Sequence, residues 1–238
     1  MLLKNAVVLV TGANRGIGAE FVAQLKERGA AKIYAASRHA SVDVYGVEPI
    51  RLDITDPSQI QAAADAAGDV QVLINNAGIS TGTSVISGAV ADIRREMDTN
   101  FYGPLLMTQA FAPILKANGG GAILNVVSAL SWFTLPGVGA YAASKAAVWS
   151  LTDSARLELA DQGTHVVGVY MGLVDTDMAA GVQAPKISPS ALAAAGLDAI
   201  ESGLDEVLAD DWARLVKSGL TLDPSERYKQ LFSALAGN

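Results

Sequence analysis

Apolar residues in this chain come in short runs separated by longer stretches in which they recur at helical spacing. The runs AVVLV (6–10), KIYAAS (32–37), EPIRL (48–52), VQVLI (70–74), AILNVVS (122–128) and HVVGVY (165–170) predict strands. Such strand-helix alternation implies parallel strands buried on both faces, an α/β doubly wound sheet with helices on either side. The punctuation agrees: Asp56-Pro57 and Ser188-Pro189 each read as an N-cap followed by a first-turn proline. Gly29 is placed to close the first helix. Towards the end of the chain, DEVLAD (205–210) predicts a short last strand and SERYKQLFSAL (225–235) a terminal helix. No linker, repeat or charge block divides the 238 residues, so one domain over 1–238 is expected.

TGANRGIG follows the first strand directly and leads into AEFVAQLKERG, a helical stretch. Gly12, Gly16 and Gly18 in this strand-to-helix position predict a dinucleotide site, because missing side chains let backbone N–H groups and the helix dipole approach a pyrophosphate. The end of the second strand decides which dinucleotide. A carboxylate there would hold a free ribose 2'-hydroxyl, but the residues are Ser37 and Arg38. Arg38 together with Arg15 is suited to a 2'-phosphate. At roughly 1.5–3 kcal/mol per charge-assisted contact, one arginine supplies at least about a tenfold preference for NADP over NAD, with NAD as the alternative. His39 reads as a surface neighbour.

In AYAASKAAV (140–148) a tyrosine stands four residues before a lysine, so Tyr141 and Lys145 share one helix face. The ammonium is expected to lower the phenol's pKa from its usual value near 10 towards working pH. Ser128 ends a predicted strand, at the edge where ligands gather in open parallel sheets, and is placed to hydrogen-bond a carbonyl oxygen that faces Tyr141.

The totals narrow the choices. A net charge of −7 argues against a sequence-independent grip on nucleic acid or an anionic membrane, and no apolar run is long enough to span a bilayer. There is no cysteine, which excludes disulfides and thiolate metal sites and suits a reducing, cytoplasmic setting. His39 and His165 lie far apart in unrelated contexts, so neither a metal centre nor a Ser-His-Asp hydrolase is expected.

Taken in order, TGANRGIG, NNAG (75–78), Asn100, Ser128 and YAASK (141–145) resemble the short-chain dehydrogenase/reductase family over about residues 5–180. The resemblance implies a Rossmann-like domain that transfers hydride between a nicotinamide and a carbonyl or alcohol. It assigns Tyr141 as acid and base, Lys145 as its companion and a ligand of the nicotinamide ribose, Ser128 as the group that polarises the substrate oxygen, and Asn100 as the holder of a water on the proton path. It places Gly12, Asn14, Arg15, Gly16, Ile17 and Gly18 on the cofactor, with Asp53 and Ile54 at the adenine and Asn75 at a ribose. In MGLVDTD (171–177), Val174 and Thr176 fall beside the carboxamide. Met171 stands where the family has proline, which leaves that turn less restrained in φ.

Leu130, Trp132, Phe133, Leu135, Val138, Met171 and Met178 are expected around the nicotinamide, an apolar set that favours a hydrophobic ketone or aldehyde. A segment over about 178–204 is expected at the substrate, with Met178 to Ile187 covering the site before a helix begins at Ser188; its Lys186 is the cation it offers, which disfavours a carboxylate. Small residues on the helix of Tyr141, namely Ala143, Ala147, Ser150 and Ser154, fit the family's habit of forming homodimers or homotetramers there. The expected activity is NADPH-dependent carbonyl reduction. Its rivals are alcohol oxidation at the same site and a non-catalytic dinucleotide sensor or scaffold.

Overall fold

The computed structural model describes residues 1–38 and 46–236; His39 lies outside them. Seven parallel strands form one sheet in the order β3-β2-β1-β4-β5-β6-β7. These are β1 (Val7–Thr11), β2 (Lys32–Ser37), β3 (Glu48–Arg51), β4 (Val72–Asn75), β5 (Ala122–Val126), β6 (His165–Tyr170) and β7 (Glu206–Leu208). Every expected strand is present, and the last one adds the far edge. The helices are α1 (Gly16–Glu27), α2 (Pro57–Ala66), α3 (Val90–Met97), α4 (Gly103–Ala117), α5 (Gly139–Glu158), α6 (Pro189–Ser202), α7 (Asp211–Ser218) and α8 (Pro224–Ala236).

Strand alternation sorts side chains into two cores. Val8, Val10, Ile33, Ala35, Val72, Ile74, Leu124 and Val167 face α1 and α6, where Phe21, Leu25, Leu192 and Leu197 meet them. Leu9, Tyr34, Leu73, Ile123 and Val166 face the opposite way, onto Ile60 of α2 and Met107, Phe111 and Leu115 of α4. This is why the strands read as continuous apolar runs. The chain reverses direction across the sheet between β1 and β4, and that switch point opens a crevice at the strands' carboxyl ends.

Caps fix where the helices begin. Asp56 accepts from the backbone N–H groups of Ser58 and Gln59, Ser188 from Ala191, and Asp210 from Ala213. Gly29, at φ 76°, follows the end of α1 as expected.

The helix expected to begin at Ser188 is present as α6, a buried layer helix packed on α1 and Phe21, which leaves residues 178–187 as the exposed part of the stretch 178–204. One expectation changes here. Trp132 and Phe133 belong to a third core with Tyr170, Ala213, Val216 and Leu231, against which Leu130 and Leu135 pack. Trp132 stacks on Tyr170 with ring centres 4.4 Å apart, and Phe133 meets Trp212 edge-on at 5.6 Å. They anchor the C-terminal helices and do not line a substrate wall. Met171 likewise turns into the α1 side of the core.

Candidate active site

A cleft of about 1140 Å³ occupies the switch point, larger than the roughly 300–1,000 Å³ of most small-ligand pockets, as an extended dinucleotide requires. Its floor is the glycine loop, where Gly12, Asn14, Arg15, Gly16 and Ile17 all line the space. Gly12 and Gly16 take φ of 66° and 53°, in the left-handed region that glycine adopts freely. Gly18 does not line the cleft. A Cβ there would stand 2.1 Å from the Gly12 carbonyl oxygen, so its role is to let α1 close on the loop. Arg15, at the N-cap of α1, makes no side-chain cap bond and the first turn carries no acidic residue, which leaves the helix N-terminus suited to a phosphate.

Ser37, Arg38, Asp53 and Ile54 line the outer end of the cleft. No carboxylate ends β2, and Arg38 is exposed there. Asp53 is held by Thr55, whose N–H and hydroxyl donate to Oδ1 at 3.0 and 2.7 Å. Arg15 pairs with Asp177 across the mouth at 2.8 Å and does not sit beside Arg38 alone. Both partners are mostly exposed, so the pair is worth little and is easily exchanged for a phosphate.

Asn75 departs from its expected place at a ribose. It is 4% exposed and turned into the sheet, donating to Asn125 Oδ1 at 3.0 Å; Asn125 donates in turn to Thr152 Oγ1 at 2.9 Å. It does not line the cleft. The lining comes from the next residues, Asn76, Ala77, Gly78 and Ile79. Thr11 shapes that turn, accepting from the Asn76 and Ala77 N–H groups at 3.0 and 3.1 Å. Thr176 lines the cleft while Val174 is buried behind it, bridged to Ile187.

Gly78 joins the cleft to the inner cluster: a Cβ on it would lie 3.2 Å from Asn100 Oδ1 and 3.9 Å from Lys145 Nζ. Asn100 sits in a π-helical turn, Asp98–Tyr102, between α3 and α4. Its side chain donates to Ile79 O and Ser144 Oγ and accepts from Ile79 N–H, each at 2.9 Å, which ties the loop after β4 to α5. Lys145, 6% exposed, donates to Val126 O at 2.8 Å, and burial pushes its pKa down to about 8. Ser128 follows β5, caps the short turn after it and accepts from Leu130 N–H at 3.1 Å.

Tyr141 and Lys145 do share a face of α5, with Nζ 5.6 Å from the ring centre. The expected acidification is absent, however. Burial pushes the phenol up to about 12; the hydrogen-bonding Ser128 hydroxyl works against that rise, and the Glu96 carboxylate adds to it. The lysine's own charge is disfavoured by burial, and its ammonium donates to the Val126 carbonyl.

The turn after β6 is firm despite Met171. Ala129 N–H donates to Met171 O at 2.8 Å, and Gly172 N–H donates to Asp210 Oδ2 at 2.7 Å. The fastening that proline would give through φ is supplied by a carboxylate from the N-cap of α7.

Residues 6–186 match the family model described as short chain dehydrogenase. The chain belongs to the short-chain dehydrogenase/reductase family. It is therefore an NAD(P)-dependent oxidoreductase acting on CH–OH or C=O groups. A short-chain dehydrogenase from Burkholderia cenocepacia, solved in complex with NADP, is 40% identical, superposes with a TM-score of 0.91 and pairs 97% of this chain with 99% of its own. A 3alpha-hydroxysteroid dehydrogenase of Mediterraneibacter gnavus is 35% identical over 204 residues, 79% of this chain and 82% of that protein. A galactitol 2-dehydrogenase of Agrobacterium fabrum is 34% identical over 186 residues, 74% of this chain and 73% of that one. Among the described residues of this short-chain dehydrogenase/reductase, no helix is long and apolar enough to cross a membrane and no cluster of acidic or histidine side chains is arranged to hold a metal ion.

Sequence reading missed four features of the site. Thr11, Asp177 and Asp210 act across long stretches of chain, on Asn76, Arg15 and Gly172, and Glu96 acts on the nearer Thr81. Only Glu96 carried a signal, since it stands four residues before Asn100.

Proposed function

We propose that this chain is an NADPH-dependent carbonyl reductase of hydrophobic ketones or aldehydes. The observation that carries the reading is one crevice with Arg38 and no β2 carboxylate at its outer end, lined further in by Gly78, behind which stand Asn100 and Lys145, with Tyr141 beside Lys145 on α5 and hydrogen-bonded to Ser128. The NADP bound to the Burkholderia relative supports the cofactor choice.

The nicotinamide, when bound, supplies the hydride to the carbonyl carbon. Ser128 donates a hydrogen bond to the substrate oxygen and so orients it and favours its developing negative charge. Tyr141 gives the proton to that oxygen, and Lys145 and Asn100 form the route by which the phenol is reprotonated. In the reverse direction the same groups oxidise an alcohol. The complete set of four argues against a sensor or scaffold, which has no use for them.

A hydrophobic substrate is favoured by the exposed Val85 and Ile86 beside the start of α5 and by Met178 and Val182 in the covering stretch. Lys186 is engaged with Asp175 at 3.8 Å, so it offers little to a carboxylate. The exposed Ala143, Ser150 and Ser154 on α5 support association of two or four copies through that helix.

The test is oxidation of NADPH and NADH across a panel of aliphatic, aromatic and charged carbonyl compounds. Turnover of apolar ketones with NADPH at least about tenfold better than with NADH is expected; no turnover, or a preference for NADH, removes the reading. Arg38→Asp should reverse the NADPH/NADH ratio of kcat/KM by about 100-fold or more, since it loses one phosphate contact and gains a repulsive charge. An unchanged ratio would take the 2'-phosphate away from Arg38.

A further inference from the structure

Among the described residues, two charged side chains are buried, Lys145 and Glu96. The lysine has its place in the proton path. Glu96 has none in the reaction as derived above, yet it is 0% exposed, and a buried carboxylate is retained against a desolvation cost.

Its surroundings show what it touches. Glu96 stands in the last turn of α3, one helical turn before Asn100. Oε1 accepts from both the backbone N–H and the hydroxyl of Thr81. The Thr81 hydroxyl is in turn 2.6 Å from that of Thr83, and Thr83 O accepts from the N–H of Ala140, the residue before Tyr141. Oε2 has no partner at all. A continuous set of bonds thus runs from α3 through the loop after β4 to the first turn of α5, and an unneutralised oxygen remains inside it.

We propose that Glu96 is a positioning residue for Tyr141: it fixes the loop at 79–83 against the start of α5 and sets the electrostatic potential at the phenol from outside the four-residue cluster. The inference rests on Tyr141 being the acid of the proposed reaction. Two groups face that phenol. Ser128 does so from the segment after β5 and Lys145 from α5, and the Glu96 charge acts on it from α3, while the hydroxyls of Thr81 and Thr83 in the 79–83 loop are engaged with Glu96 and with each other. The carboxylate acts in the same sense as burial, keeping the phenol protonated. A proton donor in reduction needs that form, so the cost of the buried charge is spent on the direction of catalysis.

The experiment is the pH profile of kcat/KM for oxidation of the secondary alcohol whose ketone the panel reduces fastest, which requires the phenolate. Glu96→Gln keeps an acceptor for Thr81 and removes the charge. It should move the rising limb to lower pH by roughly half to one and a half units. Thr81→Val, which keeps the charge and loses only a hydroxyl, should leave the limb in place. A Glu96→Gln profile that superimposes on the parent, or moves upward, overturns the proposal whatever happens to Tm or to the absolute rate. If the Gln variant does not fold, Glu96→Met fills the site without polar atoms to satisfy and is judged by the same limb. Tyr141→Phe run alongside separates the two claims. Full activity in that variant removes the acid itself, whereas an inactive Tyr141→Phe with an unmoved Glu96→Gln profile removes only the role given to Glu96.

Discussion

Tyr141→Phe should lower kcat/KM about 10²- to 10⁴-fold in both directions while NADPH binding stays within a few-fold of the parent. The substitution removes one hydroxyl from a half-buried ring and leaves the cleft lining untouched, so a loss of rate without a loss of binding isolates the proton transfer. The high pKa of the phenol suits it to reduction, because an alkoxide forming on the substrate is a stronger base still and takes the proton readily. The pH dependence follows with opposite signs. In the proposed reaction reduction needs the phenol protonated and the Lys145 ammonium behind it; it should be level at lower pH and fall as pH rises through the lysine value of about 8. Oxidation needs the phenolate, whose population grows towards the Tyr141 value of about 12, so its rate should climb over the same range. Initial rates in both directions, with binding followed by nicotinamide fluorescence, decide the matter. Retained turnover in the Phe variant ends the assignment.

Lys145→Met should cost about 10²-fold or more in rate and yet make the protein more stable at neutral pH. Lys145 is buried, bonded only to a carbonyl, and its pKa falls from 10.5 to about 8. The unfolded chain therefore holds a proton between those values that the folded chain gives up. The destabilisation is fully present below about pH 8 and is relieved as pH rises towards 10.5. Methionine removes it, while Val126 O loses its donor and takes back part of the gain. A net increase of about 1–2 kcal/mol, or roughly 2–8 °C in Tm, is expected at pH 7 and should vanish near pH 10.5. Thermal scans of both proteins across that interval measure it; a variant less stable at pH 7 contradicts the buried ammonium.

The sequence made much of this legible because the signals were local. Strands buried on both faces show as runs of Val, Ile and Leu, and the N-caps at Asp56 and Ser188 fall where a small polar residue precedes a proline. The same holds for the glycine loop and for Tyr141 and Lys145, whose spacing alone puts them on one face. What stayed hidden was set by contacts between distant segments. Asn75 looked like a cleft residue, but strand alternation turns it onto Asn125. Trp132 and Phe133 looked like a substrate wall, but α7 and α8 fold back to cover them. The phenol's pKa is hidden for a related reason: spacing gives proximity to an ammonium, whereas desolvation depends on everything packed around both groups.

The two oxygens of Asp210 serve separate ends of the molecule, one starting a C-terminal helix and the other gripping Gly172. Loss of the chain from that aspartate onward would leave Ser128, Tyr141 and Lys145 in place and take away the carboxylate that grips the turn after β6, so the tail is tied to the inner end of the sheet by one side chain working in two directions.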